Sequence, residues 1–278
     1  MSTKTAVSLI ILVSSLAAIS YAIAAQATGV IPQTELRNLA SFYVGNTLNA
    51  TNKNYWAARP EAVTAIVWDY RGFDTLFETS VFFLAIIACI AAFEVVDQPT
   101  RVEGNSKKQA DLGLSIIVKV VTKLIGLVIV CVSASIALHG QLTPGGGFQG
   151  GAALAVLPIL FIMAMSRFAL QERGVSKTSM LVLRSLGLLG IGMTVILPLA
   201  IGLLTHNMAY IMQNQIKPDA PISLPPYIAD RMMGGSLWML NLSEFLAVGA
   251  GFTLTFLLLS LPEDTFKKIL KEEKYATH

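Results

Sequence analysis
Charged residues are scarce in this chain. Lys, Arg, Asp and Glu make up 13% of its 278 residues, about half the roughly 25% of an ordinary soluble domain. With 54% hydrophobic residues and a mean hydropathy of +0.64, a polytopic membrane protein is nearly forced. Cysteine is almost absent too. Cys89 and Cys131 each lie inside an apolar run with no second thiol or histidine at ligand spacing, so they read as small core residues, not as a disulfide or a metal site. Of three histidines, neither His139 nor His206 has the acid or second ligand spacing of a metal centre, which argues against an intramembrane hydrolase. No Lys-Ser/Thr follows the glycines, so there is no phosphate loop. A net charge of +3 without a basic–aromatic patch gives no reason to expect nucleic acid. Neither a nucleophile constellation nor a cofactor site is present, so no catalytic residue, metal or cofactor is assigned.

What the chain does have is apolar runs. The first, about Thr5 to Ala27, exceeds the roughly 7–15 apolar residues of a signal peptide and reads as a transmembrane helix. The others run to about Phe93, from Gly113 to Leu138, Gly150 to Met165, Met180 to Leu204, and Leu237 to Leu261. Each approaches the 20 or so residues that cross roughly 30 Å of hydrocarbon. The predicted fold is therefore all-α and membrane-embedded with six spans. Eleven Lys and Arg fall at the termini and in the loops after helices two and four, against six on the other side. The positive-inside rule then puts both termini in the cytoplasm. In the polar connection 28–74, Pro60 is placed to open a short helix with Val63, Ile66, Val67 and Tyr70 on one face, expected to pack on the membrane domain or on a neighbouring subunit. The loop 205–236 holds four prolines and is too stiff and long for a simple hairpin.

Between the third and fourth runs lies Leu138-His139-Gly140-Gln141-Leu142-Thr143-Pro144-Gly145-Gly146-Gly147-Phe148-Gln149-Gly150-Gly151, with six glycines in fourteen residues. Thr143-Pro144 ends the preceding helix. Irregular backbone at a membrane surface needs burial by protein or a wet cavity, unless the stretch is only an extramembrane turn. The order of these residues resembles the signature of the B subunit (MnhB-like) of Mrp-type cation/proton antiporters. The F-type subunits of archaeal membrane-bound hydrogenase and sulfane reductase complexes carry a similar stretch. Gly140, Thr143, Pro144, Gly145, Gly146, Gly147, Phe148, Gly150 and Gly151 are the motif residues.

Asp69-Tyr70-Arg71-Gly72-Phe73-Asp74-Thr75-Leu76-Phe77-Glu78, entering the second run, resembles the last helix of the E-type hydrogenase subunit and the C-terminal part of the large Mrp A subunit. Thr75-x-x-Glu78 also fits a capping box, and Asp69, Arg71 and Asp74 fit an interface charge cluster. The two resemblances lie on either side of the charged linker 94–112. The expected division is a two-helix unit, 1–98, and a four-helix Mrp B-like unit, 99–278. Ser243-Glu244-Phe245-Leu246-Ala247-Val248-Gly249 resembles the final Mrp B helix, which has an acid near its start, although Phe245 and Leu246 depart from the family's glycine pattern there.

Five ionisable residues are the ion-path candidates: Lys123, Glu244, Glu78, Lys119 and His139. Lys119 and Lys123 sit about 9 and 15 Å into their helix at 1.5 Å per residue. Lys119 can snorkel. Lys123 near the bilayer centre would need a partner or a wet path, and a hydrated path is the preferred expectation. Glu244, about 10 Å below the surface, is expected at a subunit contact. His139 reads as a hydrogen-bonding post, and Arg184 as an interfacial anchor. The resemblance implies a non-catalytic subunit of an Mrp-type Na⁺/H⁺ antiporter-like module in a redox-driven respiratory complex (hydrogenase or sulfane reductase) of a prokaryotic plasma membrane. Its partners would be other Mrp-like membrane subunits, and iron–sulfur and hydrogenase-like peripheral subunits, with Na⁺ and H⁺ as transported ions. A stand-alone multisubunit antiporter is the alternative. A self-sufficient secondary transporter is the other, but the internal repeats it would require are not visible.

Overall fold
In a computed structural model, residues 3–25, 36–94, 113–228 and 230–260 are described. The expected 98/99 boundary, most of the charged linker and the basic tail lie outside these residues. The chain forms two compact units, Met1–Phe42 and Tyr43–His278. In the first, α1 (Thr3–Ala24) is apolar on every side, with Leu9, Ile10, Leu12 and Val13 all exposed. A helix without a polar face suits lipid. α2 (Asn38–Thr47) leads into the second unit.

The second unit starts with α3 (Ala62–Ala65), which continues as a π-helical turn, Ile66–Tyr70, and then α4 (Gly72–Glu94). Next come α5 (Ile116–Leu138), α6 (Gly147–Leu154), α7 (Val156–Ala164), α8 (Arg167–Gln171) and α9 (Lys177–Thr205). A two-residue antiparallel ladder, β1 (Tyr227–Ile228) with β2 (Arg231–Met232), precedes α10 (Ser236–Leu259). Among the described residues, six stretches are long and apolar enough to cross a membrane, with α6 and α7 together making the fourth, as the sequence predicts. The break between them falls at Ala155. Pro158 explains it, because the proline has no donor for the Leu154 carbonyl and its ring crowds that oxygen.

The hub is α10, whose apolar stretch is 56% buried against 17% for α5 and 11% for α4. Small residues bring its neighbours to backbone contact. A Cβ at Gly187 of α9 would stand 2.6 Å from Ala247 N and Ser243 O, and one at Gly151 of α6 would stand 2.9 Å from Gly249 N and Phe245 O. Where lipid is as apolar as the protein, such close packing is what holds helices together. Phe82, Phe148 and Phe252 then knit α4, α6 and α10, with ring centroids 4.9 Å apart for Phe82–Phe252 and 6.2 Å for Phe148–Phe252.

The connection 206–235 folds back on the spans. Met212 N donates to Val195 O at 2.9 Å, one turn before Pro198, a proline inside α9. Asn214, fully buried, donates to Ala57 O at 2.9 Å and accepts from Ser236 N at 3.0 Å, so a distant side chain caps α10.

Four sequence expectations change. α4 begins at Gly72, so Thr75-x-x-Glu78 is no capping box, and Thr75 Oγ1 instead donates to Val67 O at 2.5 Å. Glu61 caps α3, and the buried face is Thr64, Ala65 and Trp68, whereas Val63 and Val67 are exposed. The π turn shifts the register that a 3.6-residue reading assumes. Arg184 is buried rather than interfacial. Its Nη2 donates to Phe83 O at 2.8 Å and its guanidinium lies 4.3 Å over the Phe83 ring. Cys131 is exposed and Cys89 only half-buried, so neither is a core residue.

Candidate functional site
Four segments meet around Glu244. It lies two turns into α10, with Asn241 three residues earlier on the same face. Its side chain points at the start of α6, where Phe148 N donates to Oε2 at 3.1 Å. A carboxylate at a helix N-terminus satisfies an orphan amide and complements the helix dipole. The indole of Trp68, from the π turn, hydrogen-bonds the same carboxylate. Glu244 is 5% exposed and Asn241 1%, both well inside the span.

The glycine joint makes this approach possible. A Cβ at Gly147 would stand 2.3 Å from Asn241 O and 2.7 Å from Glu244 Oε2, and one at Gly150 would stand 2.8 Å from Ser133 O of α5. Gly145 and Gly146 turn the chain with φ of +154° and +150°, a region that side chains rarely adopt. Thr64 Oγ1 donates to Gly140 O at 2.6 Å and ties α3 to the joint. Gly140, Gly146, Gly147, Gly150 and Gly151 are thus buried packing positions, while Leu142, Thr143 and Pro144 form an exposed turn between them.

A polar cavity of about 130 Å³ lies against Glu244, lined also by Trp68, Thr75, Glu78, Asn241 and the 145–149 backbone. It is large enough for several waters. Asn241 Nδ2 is buried without a hydrogen-bond partner among the described residues, a donor left for such water. Glu78 lines the cavity from α4 and is itself exposed, so it stands at the mouth. Two carboxylates thus line one polar pocket within the spans.

The other candidates lie elsewhere. His139 is exposed at the C-cap of α5, its Nδ1 3.0 Å from Ser135 O, and does not reach the cavity. Lys123 is exposed on α5 and lines a different pocket with Lys119. The sequence expectation placed Glu244 at a subunit contact and Lys123 in a hydrated path near the cytoplasmic side. In the structure Glu244 is enclosed and Lys123 faces outward. Arg71 and Asp74 form an ion pair on the surface. Asp69 is turned the other way, with Oδ2 enclosed and unbonded. Burial raises its pKa to about 6, against the opposing pull of Lys217 and Arg59. Arg59 is wholly buried, its pKa lowered to about 9 by burial, and its three guanidinium nitrogens have no hydrogen-bond partner among the described residues.

Residues 117–254 match the family described as a domain related to the MnhB subunit of Na⁺/H⁺ antiporter. The matched stretch holds the glycine joint, Asn241 and Glu244, whereas Trp68, Thr75 and Glu78 precede it. The chain is 26% identical over 228 residues to an uncharacterized protein of Methanocaldococcus jannaschii, covering 77% of this chain and 82% of that one. Its fold is similar to a chain of the archaeal membrane-bound sulfane sulfur reductase, a respiratory membrane complex. The TM-score there is 0.61 at 22% identity, over 92% of this chain and 100% of that one. It is also similar to a chain of the Mrp complex from Dietzia sp., with a TM-score of 0.54 at 17% identity, over 95% of this chain and 26% of that one.

Trp68, Asn241, Arg59 and Asn214 escaped the sequence reading. Asn241 had a legible cue, three residues from Glu244 on an apolar helix. The π turn that aims Trp68 and the long loop that buries Asn214 leave no periodic trace.

Proposed function
We propose that this chain is a non-catalytic membrane subunit of an Mrp-type, Na⁺/H⁺ antiporter-like module within a redox-driven respiratory complex, and that Glu244 is its ion-handling residue. The observation that carries this reading is the enclosed Glu244 carboxylate, poised between the N-terminus of α6 and a wet cavity whose mouth holds Glu78. An ionisable group inside a membrane span is costly unless it serves a path or a partner. The match to the MnhB-related family and the fold shared with a sulfane reductase chain support the assignment to such a module. Exposed Glu78, about 9 Å into α4 at 1.5 Å per residue, supports a neighbouring membrane subunit on that face.

In this reading residues 1–98 are the E-type-like unit and 99–278 the MnhB-like unit. Both termini are cytoplasmic, the membrane is a prokaryotic plasma membrane, and redox chemistry belongs to iron–sulfur or hydrogenase-like peripheral partners. The test is ion flux in vesicles, normalised to assembled complex. Glu244→Gln keeps an acceptor for Phe148 N but removes the charge, so flux per complex should fall to background at normal yield. Normal flux per complex would remove Glu244 from the path. Copurification with antiporter-like subunits alone would assign the chain to a stand-alone antiporter.

A further inference from the structure
At the opposite end of α5 from the glycine joint, a second pocket of about 200 Å³ is lined by Lys119, Lys123, Met165, Ala169, Glu172 and Arg173. The two lysines are four residues apart and therefore stack on one helix face. Helical side chains lean toward the N-terminus, which carries both ammonium groups toward the pocket end of α5. The stem of Lys119 lies against Gly113, where a Cβ would come within 2.6 Å of its Cε, and Leu114 N ties that segment to Ala164 O at 2.9 Å. Arg173 is fixed as well. Its Nη1 donates to Ala169 O at 2.8 Å and its guanidinium lies 5.7 Å from the Phe161 ring centroid. Lys123 is exposed and makes no ion pair or hydrogen bond among the described residues, even with Glu172 in the lining. Among the described residues of the lining, three cations therefore converge against one carboxylate.

The surroundings identify the ligand class. Ile116, Val120 and Leu127 of α5 are exposed, 50% or more each, and fall with Lys123 on one helical stripe, an apolar wall beside the pocket. A cationic pocket on the edge of an apolar span lies at headgroup depth, and lysine stems reach that depth by snorkelling. We propose that this pocket binds the phosphodiester headgroup of an anionic phospholipid, whose acyl chains run along the exposed face of α5. A free phosphate shares the headgroup chemistry but has no use for the wall.

The test uses the chain in the complex in which it resides, purified in mild detergent and titrated with phosphatidylglycerol, phosphatidylcholine or inorganic phosphate. The readouts are lipid retained per complex and thermal stability. Phosphatidylglycerol should be retained and stabilise, whereas phosphatidylcholine and inorganic phosphate should not. Lys119→Gln with Lys123→Gln should weaken retention about thirtyfold, from about fivefold per lysine near a membrane surface. Lys119→Arg with Lys123→Arg should restore it, which separates loss of charge from misfolding. Equal retention by the glutamine variant would overturn the proposal, as would equal stabilisation by inorganic phosphate. Loss of a neighbouring subunit from the glutamine variant at unchanged lipid content would also overturn it, and would assign the pocket to a protein contact.

Discussion

Phe148 donates its backbone N–H to Glu244 at 3.1 Å, although 96 residues separate them in sequence. This one bond joins the glycine joint to the hub helix. It caps a short broken helix with a carboxylate inside a membrane span, and it fixes that carboxylate at the edge of the polar cavity.

The joint that permits this bond should tolerate no side chain. At Gly147 a Cβ would meet the Asn241 carbonyl, which is helix backbone and cannot swing aside. Gly147→Ala should cost about 1–3 kcal/mol or more as overpacking. Exposed Gln149→Ala should stay within about 0.5 kcal/mol of the parent. Thermal unfolding and yield of assembled complex measure both. Equal stability of the two variants would show that α6 can slide away from α10.

Arg184 should act as a clamp between α9 and α4. Arg184→Ala removes a charge-assisted hydrogen bond to Phe83 O and a cation–π contact with its ring, a loss of roughly 2–4 kcal/mol. Arg184→Lys should recover only part, because an ammonium lacks the planar face that stacks. Melting of the three proteins in detergent ranks them.

Asp69 makes stability depend on pH. Its folded pKa of about 6 lies above the ordinary 3.8, so the folded state holds the proton more tightly. The stability it contributes is complete below the unfolded value and is lost as pH rises through about 6. The loss is no more than about 3 kcal/mol for a shift of that size. Asp69→Asn should therefore melt higher than the parent near pH 7.5 and alike near pH 4. A parent and variant with parallel melting curves across that range would remove Asp69 as the source.

The proposed orientation has a direct readout. In a background lacking Cys89 and Cys131, Thr178→Cys at the start of α9 and Met208→Cys beyond its end both place a thiol on exposed surface. In intact cells an impermeant reagent should label only Met208→Cys. Labelling of Thr178→Cys alone would invert the topology.

The spans and the importance of the glycine joint were legible in the residues. Each depends on local properties: run length against bilayer thickness, a missing Cβ. The polar residues behaved otherwise. Glu244, Lys123 and Arg184 all read as charges at measured depths along apolar helices, and depth was the only coordinate available. Only the tertiary structure set their azimuth. It turned Glu244 inward onto Phe148 N, Lys123 outward, and Arg184 onto Phe83.

By itself the sequence determined an all-α membrane chain of six spans with a glycine-dense joint between the third and fourth. Only the tertiary structure decided which faces meet, which carboxylate is enclosed, and that residues 63–78 complete a cavity begun by residues 145–149 and 241–244. The reason is physical. In water, an apolar stripe marks the buried face of a helix. In a bilayer, lipid and protein interior are equally apolar, so hydropathy locates a span without orienting it. Orientation comes from backbone contacts at Gly147, Gly151 and Gly187 and from a few hydrogen bonds across long stretches of sequence, and these exist only once the helices have packed.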